Sequence, residues 1–112
     1  MNAAAARDLA AAHSPATDPG RLAALLFQSP WQEVAAAAAA NLACPLPVAV
    51  FAAAAGVGGS TVRAALAGRR DLSGRTAGIL AGDRSPEVLD ALSANPSVPR
   101  AVRAAAGLQA DG

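Results

Sequence analysis

The chain has 112 residues, nine arginines and no lysine against eight acids, and a formal net charge of +1, so charge alone does not announce nucleic acid. Its 54% apolar content is mostly alanine, with two Phe, one Trp and no Tyr, which allows one domain with a core of small contacts. Cys44 stands alone, which excludes an internal disulfide and a Cys-rich metal site and makes a reducing, cytoplasmic compartment the default.

In chain order, "MNAAAARDLAAAHS" predicts a helix near residues 3–13. It lacks the early cationic region of a signal peptide, and Arg7-Asp8 interrupts its apolar run. Asp18-Pro19 then reads as an N-cap followed by a first-turn proline, opening a helix with Leu22, Leu25 and Leu26 on one stripe. After Ser29-Pro30 and Trp31, a second helix carries Val34, Ala37 and Ala38. No charge occurs between Glu33 and Arg63, a stretch long enough to span a bilayer. "NLACPLP" breaks it with Asn41 and two prolines, which would leave backbone groups unsatisfied in lipid, so no membrane span is expected.

The pattern then recurs. Stripes at Val50/Ala53/Ala54 and Val62/Ala65/Leu66 flank "GVGGS", and Thr76/Ile79/Leu80 and Val88/Ala91/Leu92 flank "AGDRSPE". Asn95-Pro96 ends one helix, and Pro99 starts another with Val102, Ala105 and Ala106. Gly56, Gly82 and Gly107 stand where a helix would need a left-handed stop. Pro19, Pro47, Ser73 and Pro99 are spaced by 28, 26 and 26 residues. Val34, Val62 and Val88 follow the first three in step, as do Asn41, Arg69 and Asn95. Such self-similarity marks stacked helix pairs, each too short to be stable alone.

The best-marked unit, "SGRTAGILAGDRSPEVLDALSANPSVPRAVRAAAG", resembles the variant leucine-rich repeat family. The family's Leu-rich helix, Ala-x-Asp turn, Val-led second helix and closing Asn-Pro-x-x-Pro correspond to Leu80-Ala81, Asp83, Val88 and Asn95-Pro96 with Pro99. The resemblance covers about residues 18–107. It is closest in the last full unit: Leu42 follows Asn41 where the pattern has proline, and "GVGGST" replaces the acidic turn. It implies a right-handed superhelix of alternating short helices, some of the tight three-residue kind. The Cys-ligated iron–sulfur cluster of some members is not carried over to a chain with one cysteine.

Candidate sites are few. "GVGGS" lacks the Gly-Lys-Ser/Thr ending and the preceding strand of a phosphate loop, and reads as a helix–helix turn. Nothing in the sequence pairs His13 with Cys44 as a base with its nucleophile. The acids show no catalytic or ligand spacing. Arg63, Arg69, Arg70 and Arg75 would line a phosphate-tracking groove if adjacent units present them together, yet Asp71, Asp83, Glu87 and Asp90 interleave with them. Trp31 reads as a partner anchor or, with Phe27, as cover for a core short of large side chains; Phe51 is a further candidate for an interface.

The expectation is therefore an all-α, right-handed α-solenoid of short helix pairs with a repeat of about 26 residues, forming a single helical-repeat domain over 1–112. An N-terminal capping helix covers 1–17, repeats cover 18–46, 47–72 and 73–98, and a C-terminal half repeat and tail covers 99–112. The expected function is a non-catalytic protein–protein interaction scaffold without cofactor or metal, its partner contacts drawn from Trp31, Arg63, Arg69, Arg70 and Arg75. The alternative is a nucleic-acid-binding helical repeat using the arginines. Alanine-rich terminal helices also suit a homodimer.

Overall fold

The computed structural model describes residues 2–108, and among these every regular element is an α-helix. The helices are α1 (Ala3–His13), α2 (Pro19–Gln28), α3 (Gln32–Ala40), α4 (Val48–Val57), α5 (Ser60–Ala67), α6 (Gly74–Leu80), α7 (Pro86–Ala94) and α8 (Arg100–Ala105). The expected tail over 109–112 lies outside the described residues. No described helix is long and apolar enough to cross a membrane.

The odd-numbered helices pack in sequence, α1 on α3, α3 on α5 and α5 on α7; the even-numbered helices do the same from α2 to α8. The odd row is the tighter of the two, because α3 buries Ala35, Ala37, Ala38 and Ala39, whose small side chains let backbones approach. The resulting body measures 44 × 24 × 24 Å.

Local chemistry starts the helices where capping rules expect. Asn2 accepts from the Ala5 amide, Asp18 from Gly20 and Arg21, and Ser73 and Thr76 form a capping box. The stops differ from expectation at two glycines. Gly56 lies inside α4, and of the three only Gly107 has a positive φ, at 72°. α4 instead ends at Gly58, where a Cβ would lie 2.6 Å from Val62 Cγ1 and 2.9 Å from the Ala54 carbonyl oxygen.

The core runs unbroken from Ala12 to Val98, with Phe51, Leu22, Leu66, Leu80 and Leu92 its largest fully enclosed side chains. The Leu22/Leu25/Leu26 and Val34/Ala37/Ala38 stripes are buried as read. In α4 the buried pair is Phe51 and Ala54, while Ala53 is exposed and Val50 half-buried. Burying a phenyl ring gains about 1.5–3 kcal/mol, more than alanine offers, so Phe51 sets the rotation of α4. Similarly, α6 buries Thr76, Ala77 and Leu80 and leaves Ile79 exposed. α8 has no fully buried residue.

One turn recurs after every odd helix. The amides of Thr17, Cys44, Leu72 and Val98 donate to the carbonyls of Ser14, Asn41, Arg69 and Asn95 respectively. From these turns side chains reach backwards. Asn41 Nδ2 donates to the carbonyls of Ala12 and Ser14, and Asn95 Nδ2 to those of Ala67 and Arg69. Between them, Arg69 donates to Ala39 and Asn41. After them, Arg103 donates to Ser93 and Asn95. Four odd helices thus have their last carbonyls, the ones a helix leaves without internal partners, satisfied by a side chain from later in the chain.

Candidate functional site

Of the five residues singled out in the sequence, two are taken up inside the fold. Arg69 is 3% exposed. All five of its N–H groups are bound: Nη1 to the Ala39 and Asn41 carbonyls, Nη2 to the Cys44 carbonyl at 2.9 Å, and Nε with Nη2 to the Asp71 carboxylate. A buried guanidinium is tolerable only when fully paired in this way, and it offers nothing to a partner. Its placement among surface arginines is therefore corrected. The guanidinium bonded to Asp71 also holds that carboxyl below the usual carboxylate range.

Arg63 projects from α5 to Asp83 in the α6–α7 turn, with Nε 2.6 Å from Oδ2, and Nη1 donates to the Gly58 carbonyl. It ties two turns together. Burial pushes the Asp83 carboxyl up, but the Ser85 amide and the Arg63 guanidinium outweigh it and hold it below its ordinary value. Trp31 is the N-cap residue of α3, half-buried against the core, which leaves it a partial surface at most. Arg70 and Arg75 are exposed, and neither has an ion pair among the described residues.

The remaining candidates resolve into structural roles. "GVGGS" is the turn between α4 and α5, with Gln32 Nε2 seated over Gly59. Cys44 is fully buried at the turn position that Leu72 and Val98 fill in later units, and burial pushes its thiol up despite the nearby Arg69 charge. His13 is exposed in the last turn of α1. Among the described residues no group of three His, Cys, Asp or Glu is placed to hold a metal. Phe51 is 1% exposed, so it belongs to the core and not to an interface.

What the sequence reading passed over is the outer face of the even-numbered helices. α4 has no charged or polar side chain at all and exposes Val48, Ala49, Ala52, Ala53 and Val57, the last 73% exposed. Beside it stand Phe27 of α2 and Ile79 of α6, both exposed. Phe27 and Val57 line a cleft of about 380 Å³ together with Leu26, Ala54 and Val62 and the polar Ser29 and Gln32. α2, α4 and α6 pack in order, so these exposed apolar side chains stand on neighbouring helices, and exposed apolar surface of this kind marks candidate interaction sites. A charge-free helix was visible in the sequence, but alanine does not say which side faces out.

The charged residues on this side are of one sign. α2, α4, α6 and α8 contain Arg21, Arg75, Arg100 and Arg103 and no acid, whereas the acids Asp8, Glu33, Glu87 and Asp90 sit on odd helices. Arg21 keeps half its side chain exposed while bonding Asp8. Comparison with protein-family models, with curated proteins and with solved structures finds no match.

Proposed function

We propose that the chain is a short right-handed α-solenoid of the variant leucine-rich repeat kind, with units of 26 to 28 residues. The reading is supported by the sequential packing of odd and even helices and by the recurring turn after each odd helix. It is supported too by side-chain bonds that reach back between 26 and 30 residues from Asn41, Arg69 and Asn95. Neighbouring units stabilise one another through such contacts, which is how short helices persist in repeat proteins.

Its function is that of a non-catalytic protein-interaction scaffold in a reducing, cytoplasmic compartment, where the lone Cys44 stays a thiol. The observation that carries this is the uncharged outer face of α4 with Phe27, Val57 and Ile79 beside it. The competing nucleic-acid reading loses two of its four arginines, Arg63 and Arg69, to internal bonds. Exposed Arg70 and Arg75 remain available to a partner.

The test is capture from the native host's lysate on immobilised protein, with and without nuclease, beside Val57→Asp. A defined protein retained after nuclease and lost on Val57→Asp is the expected result. Loss of all bound material on nuclease treatment, together with steep weakening by salt, would transfer the function to the arginines and phosphate.

A further inference from the structure

We infer that the outer face of α2, α4 and α6 receives an acidic amphipathic helix from a partner protein, a reading that rests on the interaction function proposed above. Three observations together select this occupant.

First, the face is smooth. Between its larger side chains it is paved by Ala24, Ala52, Ala53 and Gly78, all exposed, so a helix can lie across it at close approach without displacing bulk. Second, it has one place for an anchor. The cleft beside Phe27 and Val57 has an apolar part formed by Leu26, Ala54 and Val62 and a polar edge formed by Ser29 and Gln32, and it admits a large side chain of a helix laid over it. A partner presenting Leu or Phe there would desolvate Val57, the most exposed of the large apolar residues.

Third, the rim has a sign. Arg21 and Arg75 stand at matching positions, two residues after Pro19 and Ser73, with the uncharged Ala49 between them. Both are exposed and no acid lies on these three helices. Arg21 bonds Asp8 of α1 while half its side chain stays in solvent, whereas Arg75 has no ion pair among the described residues. The nearest acids in sequence are already committed: Asp18 accepts from the Gly20 and Arg21 amides, and Asp71 is held by Arg69. A docked helix with Asp or Glu along its flank gains complementary charge chiefly at Arg75, and less at Arg21, whose charge Asp8 already shares. A second copy docked face to face brings arginine against arginine and is disfavoured. Nucleic acid would press phosphates on the apolar centre with only two cations beneath them.

Phage-displayed helical peptides with randomised surface positions, panned on the immobilised protein, test this without knowledge of the natural partner. Expected winners are amphipathic, carry net negative charge, and lose at least tenfold in affinity against Val57→Asp and several-fold against Arg75→Glu. Circular dichroism of each variant establishes that it is folded. Winners that depend on Val57 but are neutral or basic overturn the acidic partner and leave the interaction reading standing. Absence of any Val57-dependent winner overturns both. A dimer seen by light scattering and abolished by Val57→Asp assigns the face to a second copy, and Val57-dependent binding of an RNA oligonucleotide assigns it to nucleic acid; either overturns the inference.

Discussion

The side-chain amide of Asn95 donates to the main-chain carbonyl of Arg69 at 2.8 Å, while the guanidinium of Arg69 donates in turn to the carbonyl of Asn41. Each is the donor of one turn and the acceptor of the next. Asn41 extends the series to Ser14, and Arg103 closes it by donating to Asn95. This ladder satisfies the helix ends that would otherwise be orphaned in the interior, and it links units whose helices are too short to stand alone.

Asn95 is 4% exposed and serves three groups, since its Oδ1 also accepts from the Ser97 amide. Asn95→Ala leaves the Ala67 carbonyl without its side-chain donor and the Arg69 carbonyl with the Leu72 amide alone, at an expected cost of about 1–3 kcal/mol for the one orphaned buried acceptor. Urea denaturation reads this as a lower midpoint at unchanged slope. A midpoint shift worth less than about 0.5 kcal/mol, the range of ordinary surface substitutions, would show that the ladder contributes little.

Arg69 does with two residues what asparagine does with one. In the flanking turns Asn41 and Asn95 supply both a donor to the preceding unit and an oxygen that accepts from the amide two residues on. In the Arg69 turn the guanidinium donates, and Asp71, two residues later, contributes the carboxylate. Arg69→Ala should destabilise strongly, by about 2–6 kcal/mol, because the Ala39 and Cys44 carbonyls both lose their buried donor. Arg69→Asn should recover at least half of that loss, because asparagine fits the same place elsewhere in the chain. Calorimetric melting of the two variants side by side measures it, and equal damage from both would mean that the turns are not equivalent.

The helix order, the cap at Asp18 and the in-step trio Asn41, Arg69 and Asn95 were legible in the sequence, because capping and periodicity are local or repeat at fixed spacing. The function of the trio was not. Their bonds run to residues 25 to 30 positions back, and an arginine in isolation reads as solvated. The available signal was an arginine standing where the other units have asparagine, followed two residues later by an acid. The docking face was equally hidden: α4 is apolar all round, and only the choice between Phe51 and Val50 as the buried side chain determines which alanines face outward.

Two neighbouring glycines should respond to alanine with opposite sign. Gly56 lies in the last turn of α4 with open space where a Cβ would stand, so Gly56→Ala should stabilise by about 0.5–1 kcal/mol through helix propensity and reduced unfolded-state entropy. Gly58→Ala forces a methyl against Val62 and the Ala54 carbonyl, an overpacking expected to cost about 1–3 kcal/mol. Melting temperatures of the pair test both signs at once, and a shift in the same direction for both would contradict the close packing at Gly58.

Stability should fall on the acid side, and the two carboxyls on bonded arginines should account for part of the fall. Asp71 and Asp83 are both held below their ordinary range, Asp71 by its bonds from Arg69 and Asp83 by the Ser85 amide and Arg63, which outweigh its burial. The unfolded chain, with aspartate near its ordinary value of about 3.9, therefore takes up protons before the folded one as pH drops. The contribution of each pair is complete above that value and is lost as pH falls through the lower folded value. Asp71 is more than half exposed, so water screens its pair, and the Arg63–Asp83 pair is expected to weigh more. Urea midpoints measured from pH 7 down to pH 2 should decline less steeply for Asp83→Asn than for the parent chain, because the variant has already lost the titrating group. Parallel declines would show that Asp83 titrates alike in both states and that its bond to Arg63 adds no acid-sensitive stability.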